Sequence, residues 1–112
     1  MTADPRSSVS VPPHSLEAEL AVLAAAVTDR GALDVALETL RAEDFYREAH
    51  GRVFATMASL AERGEAVDIV TVAAALSAEG RLEAIGGKPA LAEIAASGGA
   101  VSHVSSYAKI VS

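Results

Sequence analysis

The chain has 112 residues, a formal net charge of -6 and no cysteine. This length fits one domain with a modest core, and the lack of cysteine excludes disulfides and thiolate metal sites. Tight binding to a nucleic-acid backbone needs clustered lysine and arginine, and no basic run is present, so we expect no direct DNA binding. Apolar residues make up 51% of the chain, aromatic residues make up 4%, and 25 residues are alanine, a composition typical of closely packed helices.

The N-terminus and the apolar runs bear on cellular location. The first residues lack the apolar stretch of a signal peptide. The longest strictly apolar run, residues 20–27, is far shorter than the ~20 residues that a membrane span requires. We therefore expect a cytoplasmic protein with no membrane contact.

The first forty residues predict a lead-in and two helices. Residues 1–13 lack periodicity and are interpreted as a disordered lead-in to a domain at residues 14–112. Ser15 is a candidate N-cap. Apolar residues at positions 16, 20, 23 and 27 predict an amphipathic helix over about residues 16–28, which ends at residues 29–31. Leu33, Leu37 and Leu40 mark a second helix of about ten residues.

The middle of the chain predicts two further helices. Asp44 is a candidate cap for a third helix, whose apolar stripe ends before Gly64 and consists of Ala49, Val53, Met57 and Leu60. Asp68 is a candidate cap for a fourth helix that ends at Gly80. The β-branched residues at positions 67–72 are also compatible with a strand, but the apolar spacing that follows favours a helix.

The last third of the chain predicts two more short helices. A turn at Gly86 and Gly87 precedes a helix with Pro89 at its first position, and the apolar positions of this helix are Leu91, Ile94 and Ala95. Residues 97–99 form another break. A final stripe, Val104, Tyr107, Ala108 and Val111, is still apolar at the end of the sequence, which predicts a helix that continues in a longer protein. The fold class expected is all-α, a compact orthogonal bundle of about six or seven short helices.

No arrangement of residues predicts catalysis or a cofactor in this chain. The segment most similar to a phosphate-binding loop contains Gly87 and Lys88. However, Leu82 and Pro89 occupy the positions where the motif needs glycine and a hydroxyl residue. The sequence contains three histidines, His14, His50 and His103. They lack the paired spacing that metal ligands have on one helix face.

Several other candidate residues receive structural interpretations. His50, beside the apolar face of the third helix, is interpreted as a hydrogen-bonded structural residue rather than a pH switch. Glu43 and Asp44 are interpreted as helix-capping residues rather than an acid–base pair, and Phe45 and Tyr46 as core residues rather than base-stacking ones.

Five segments, in this order and spacing, resemble the N-terminal domain of DnaB-type replicative DNA helicases. They are PPHSLEAE at residues 12–19, DFYREAH at 44–50, GEAVDIVT at 64–71, the Gly86–Gly87 turn with Leu91, and YAKIV at 107–111. Together they cover nearly all of the predicted folded part. The sequence departs from the family pattern at Ala90, where an aromatic residue is usual, and at residues 98–103.

The resemblance implies a head domain without catalytic residues that is followed in the parent protein by a helical hairpin and a RecA-like ATPase, both absent from these residues. ATP and Mg²⁺ would belong to that parent chain, which unwinds DNA during chromosome replication at the bacterial nucleoid. The implied partners are primase, helicase loaders and other copies of the chain. The copies would form paired heads in a hexamer. Gly86, Gly87 and Leu91 are the implied partner-binding residues.

Other functions remain compatible with the sequence. A free-standing helical adaptor or regulator of a helicase would have the same fold and would end near residue 112. A DNA-binding helical regulator would use short helices joined by glycine turns, although the acidic balance of the chain argues against it. Enzymatic activity of these residues alone would need a nucleophile, a base and an orienting group at recognisable spacing, and none is found.

Overall fold

The computed structural model describes residues 15–98 and 100–112 of the chain. In these residues there are six α-helices and no strand: α1 (Leu16–Thr28), α2 (Arg30–Thr39), α3 (Glu48–Glu62), α4 (Ile69–Ala78), α5 (Gly87–Ala96) and α6 (Val104–Val111). Short 3-10 turns cover Ala42–Asp44, Glu83–Ile85 and Val101–His103. The predicted all-α bundle is confirmed. The lead-in expected at residues 1–13, and Gly99 of the predicted break, lie outside the described residues.

Helix α1 is the central helix of the bundle. It packs against α2, α3, α5 and α6, and every residue from Val22 to Val27 is buried. The predicted bounds of α1 are confirmed, but the single apolar stripe is not, since Leu16 and Leu20 are only half-buried. A helix that is apolar all round is expected to be buried all round, and the run of alanines lets the neighbouring helices approach closely.

Local caps begin α1 and α4, and end α3, where the sequence predicts. The Ser15 hydroxyl accepts a hydrogen bond from the N–H of Ala18 at 3.0 Å. The Asp68 carboxylate accepts one from Thr71 N–H at 2.8 Å, and the Thr71 hydroxyl accepts one from Asp68 N–H at 2.9 Å, which together form a reciprocal capping box. Gly64 follows α3 with a φ of 74°, a left-handed conformation that glycine adopts without steric cost.

Some predicted positions within the helices are wrong. Asp44 does not cap α3, which begins four residues later; its carboxylate accepts the N–H of Arg41 at 2.8 Å instead. Leu40 is the C-cap of α2 rather than a helical residue, yet it is buried. Pro89 is the third residue of α5, a position that also needs no intrahelical N–H. Ala95 is exposed, so the buried face of α5 is formed by other residues.

Two hydrogen bonds join helices that are far apart in sequence. The Arg30 guanidinium at the start of α2 donates to the carbonyl of Ala61 near the end of α3, at 3.2 Å. The Ser97 hydroxyl at the end of α5 donates to the carbonyl of Leu20 in α1, at 3.1 Å. The carbonyl of Ala61 also accepts the N–H of Gly64 at 3.0 Å, so the arginine is a second donor to this group at the end of α3.

Gly51 allows the 3-10 turn Ala42–Asp44 to lie directly against α3. A Cβ atom at position 51 would lie 2.6 Å from the backbone carbonyl oxygen of Ala42 and 3.7 Å from the Cβ of Phe45. The first distance is a clash with backbone, which cannot rotate away as a side chain can. This contact sets the separation between α3 and the segment that precedes it, and it brings Phe45 to 5.1 Å from Phe54, centroid to centroid.

We predict that Gly51→Ala destabilises the fold, although alanine favours helix by about 1 kcal/mol over glycine. Overpacking against backbone costs about 1–3 kcal/mol, and subtracting the helix preference of about 1 kcal/mol leaves an expected net loss of about 1 kcal/mol in the free energy of unfolding, measured by urea denaturation. Ser59→Ala, on the exposed face of the same helix, is the control. A Gly51→Ala protein as stable as the wild type would contradict the close approach.

We predict that Asp68→Ala lowers the free energy of unfolding by about 1 kcal/mol, because it removes the side-chain acceptor at the start of α4. Asp68→Asn keeps an acceptor oxygen at the same position and is the matched control, with an expected loss of only a few tenths of a kcal/mol. Thermal and urea unfolding of the three proteins measure the difference. Equal losses for alanine and asparagine would show that the cap contributes little.

Candidate docking surface and the buried Glu19 cluster

A buried carboxylate in α1 holds the beginning of α3. The two Glu19 carboxylate oxygens accept hydrogen bonds from the backbone N–H of Tyr46 at 2.6 Å and of Arg47 at 3.4 Å. The His50 Nδ1 lies 2.8 Å from Glu19 Oε1. Glu19 is 2% exposed and His50 is 4% exposed. The predicted interpretation of His50 as a hydrogen-bonded structural residue is therefore confirmed.

Glu19 does for α3 what a local cap does for other helices. Arg47, the N-cap of α3, makes no side-chain capping hydrogen bond. The carboxylate instead comes from a different helix, 27–31 residues earlier in the chain. A negative charge near a helix N-terminus is also favoured by the helix dipole. The sequence analysis assigns Glu19 only to the first turn of α1. A single glutamate within an otherwise apolar helix face is the signal that could have indicated its buried role.

The Glu19 cluster is structural rather than catalytic. A general acid or base must come within hydrogen-bond distance of its substrate. Glu19 and His50 are both buried, and the carboxylate already faces three donors of the protein itself.

Among the described residues, no group of three His, Cys, Asp or Glu side chains is placed to hold a metal ion. No described helix is both long and apolar enough to cross a membrane.

The residues expected to bind a partner lie at the start of α5. Gly86 and Gly87 have φ values of 107° and 72°, so they form the predicted turn, and the Gly87 N–H donates to the carbonyl of Leu82 at 2.9 Å. Leu91, one turn further along, is 1% exposed. The structure therefore brings the three together at one end of α5, but Gly86 and Gly87 shape the backbone while Leu91 lies within the packed interior.

Leu91 also forms the floor of a groove between α4 and α5. The groove has a volume of about 570 Å³. Its half-buried walls are formed by Ile69, Ala73 and Leu82. Its exposed rim consists of Val70, Ala74, Ser77, Lys88 and Ala92. Val70 is 76% exposed, the highest value among the large apolar side chains that are exposed. This groove is the candidate docking surface, and within it Lys88 is the only charged residue.

A second groove lies between α1 and α6 and has a different character. Its volume is also about 570 Å³, and Leu20, Tyr107 and Ile110 contribute its apolar surface. Ser15, Glu17 and Ser97 add polar groups to its lining. Ile110 is 55% exposed and is not part of the predicted apolar stripe of the last helix, in which Val104 and Ala108 are buried and Tyr107 and Val111 are half-buried.

The two aromatic residues before α3 separate in the structure. Phe45 is buried against Phe54, as predicted. Tyr46 is 65% exposed, so the prediction that it packs in the core is wrong. The reason is the Glu19 cluster: the carboxylate binds the Tyr46 N–H from the inside, which directs the backbone inward and leaves the ring on the surface.

We predict that Glu19→Ala destabilises the protein by about 3 kcal/mol, because it leaves buried donors without an acceptor and leaves a cavity. Glu17→Ala is the matched control, since Glu17 is an exposed glutamate in the same turn, and we expect a change within about 0.5 kcal/mol. Urea unfolding gives both values. Backbone amide exchange at Tyr46 and Arg47 should accelerate in Glu19→Ala only; equal exchange in both variants would contradict the cap assigned to Glu19.

Comparison with known proteins identifies replicative DNA helicases as relatives of the chain. The chain is 49% identical over 104 residues to the replicative DNA helicase DnaB of Geobacillus stearothermophilus, an alignment that covers 93% of this chain and 23% of the relative. It is 43% identical over 101 residues to the replicative DNA helicase DnaC of Bacillus subtilis, with 90% of this chain and 22% of the relative covered. The chain thus spans less than a quarter of the length of these relatives.

The fold has a similar solved structure, the crystal structure of the N-terminal domain of DnaB helicase from Mycobacterium tuberculosis. The TM-score is 0.86 at 40% sequence identity, and the match covers 90% of this chain and 72% of the solved one. The family described as "DnaB-like helicase N terminal domain" matches residues 11–112. Because this match includes all of the described helices and the Glu19 cluster, the chain belongs to the DnaB-like helicase N-terminal domain family.

Proposed function

We propose that this chain is the non-catalytic assembly and docking domain of a replicative DNA helicase. In this proposal the parent protein unwinds duplex DNA with ATP and Mg²⁺ in the bacterial cytoplasm, and these residues pair with other copies of the chain and recruit primase. Helicase loaders are further partners of the same kind. The observation that carries the proposal is the family match over residues 11–112, together with relatives that are replicative helicases.

The surface of the domain supports a role in contacts with other proteins. Two grooves of about 570 Å³ lie on separate pairs of helices, α4 with α5 and α1 with α6. Exposed apolar surface on a folded domain commonly marks sites of protein interaction. Two such surfaces are compatible with a domain that contacts a neighbouring copy and a different protein at the same time.

Gly86, Gly87 and Leu91 act in this proposal through the shape of the α4–α5 groove. The two glycines fix the position of the N-terminus of α5, and Leu91 closes the groove from below. None of the three is proposed to carry a charge or hydrogen bond to the partner. Substitution of Leu91 would therefore weaken docking through lost shape and lost stability together, so exposed residues of the rim are better suited to a test.

We predict that removal of residues 1–112 from the parent protein leaves its ATP hydrolysis in place. The same removal should abolish the mutual stimulation of the parent protein and primase. The physical reason is that the domain contributes contacts rather than chemistry. Steady-state ATPase assays and a primer-synthesis assay with the primase of the same organism measure the two effects. The intact mass of the parent protein before and after removal is the control for correct truncation.

Two results would contradict the proposal in different ways. Full primase coupling without residues 1–112 would show that docking occurs elsewhere in the parent chain. The coverage of the relatives implies a native gene product of about four times 11.4 kDa. A native mass near 11.4 kDa would instead mean that the protein has no ATPase domain, which would favour the free-standing adaptor.

A further inference from the structure

The buried ring of His50 has one nitrogen that no described residue binds. Nδ1 lies 2.8 Å from Glu19 Oε1, and within the described part of the chain the ring forms no other hydrogen bond. In either protonation state Nε2 needs a partner, because it accepts a hydrogen bond when bare and donates one when protonated. A buried polar atom without a partner costs free energy, so Nε2 indicates a binding site on the far side of the ring from Glu19.

A small cavity lies beside His50, between α3 and α5. Its volume is about 30 Å³. The apolar part of its lining consists of Ala49, Val53, Ile85, Ala90 and Ile94. The polar part consists of His50 and Arg47 from α3 and its N-cap, and of Glu93 from α5. Because the two ring nitrogens point in different directions and Nδ1 faces α1, Nε2 is the nitrogen that can reach this cavity.

The size and the polarity of the cavity decide what it can hold. A water molecule takes up about 30 Å³ in the liquid, so the cavity admits water but no larger ligand. Cavities with purely apolar linings stay dry, whereas a buried water needs about two to four polar partners, a number that this lining supplies. A zinc ion is a poor match, because it takes about four ligands and only His50 and Glu93 of the lining could ligate it.

We propose that this cavity is a hydration site whose single water molecule binds His50 Nε2 and the Glu93 carboxylate. Arg47 and Glu93 are exposed, so the cavity adjoins the surface and the water enters from solvent. With Nε2 bare, the water donates one hydrogen bond to the ring and one to the carboxylate, and its oxygen accepts one from the Arg47 guanidinium. The water thereby extends the Glu19 cluster from α1 through α3 to α5. This site does not depend on the proposed function.

A high-resolution crystal structure of the 112-residue chain tests the site directly. We expect one water peak within hydrogen-bond distance, about 2.7–3.2 Å, of both His50 Nε2 and a Glu93 carboxylate oxygen. A cavity without a peak, the Arg47 guanidinium bound to Nε2, or a metal ion at about 2.0–2.1 Å from Nε2 would each overturn the proposal. A water that binds Nε2 but lies beyond reach of Glu93 would overturn the link to α5.

Two substitutions of similar shape at Ala90 test the polarity of the cavity in solution. Ala90 is half-buried in α5 and lines the cavity. Ala90→Thr brings a hydroxyl that can replace the water as a hydrogen-bonding group, whereas Ala90→Val displaces the water without replacing its hydrogen bonds. The same two substitutions at Ala95, which is exposed on α5 and outside the cavity, are the matched control for the helix preferences of threonine and valine.

We expect Ala90→Val to unfold at a lower urea concentration than Ala90→Thr, by more than the corresponding difference at position 95. A dry cavity predicts the opposite order, because valine would fill apolar space in which the threonine hydroxyl has no partner. An Ala90→Val protein at least as stable as Ala90→Thr, after correction by the pair at position 95, would therefore overturn the proposal. If neither variant at position 90 folds, as judged by circular dichroism, the wild-type crystal structure decides.

Discussion

The fold depends on the burial of the middle of α1, residues 22–27, on every side. Ala24, Ala25 and Ala26 stand in the middle of the helix and present only methyl groups to its neighbours. Small side chains allow helix axes to approach, and four helices pack against α1 as a result. The larger side chains of the core, such as Phe54, Met57 and Leu76, come from the surrounding helices and fill the space between them. A bundle built in this way needs few aromatic residues, in agreement with the composition of the chain.

A central helix that is apolar all round does not by itself fix which part of the chain packs where, and Glu19 supplies that information. A buried carboxylate is costly unless it is hydrogen-bonded, so the fold is stable only when the N–H groups of residues 46 and 47 and the ring of His50 reach it. This requirement sets the position of α3 along α1. The close approach at Gly51 then sets the separation of α3 from the turn Ala42–Asp44, and the pair of phenylalanines fills the space that remains.

The sequence predicts those features whose chemistry is local. Ser15 and Asp68 are found where expected because a cap acts on an N–H three residues away, and Gly64 ends α3 because left-handed backbone favours glycine. The start of α3 was placed wrongly because its cap comes from 27 residues earlier in the chain. Periodicity likewise gives one face of a helix, so it does not predict the all-round burial of residues 22–27 in α1. The family resemblance points to the start of α5, but it does not show that Leu91 is buried.

The α4–α5 groove illustrates why a docking surface is harder to predict than a core. Helix α4 is apolar on nearly every face, with Val72 and Leu76 buried and Val70 and Ala74 exposed. In the sequence this pattern favours a buried helix or even a strand, and only the fold shows that no helix of the described residues covers one of its faces. Selection for folding alone would favour polar residues on that face, since they cost nothing in stability there. The apolar rim is therefore compatible with the docking surface that we propose for this domain.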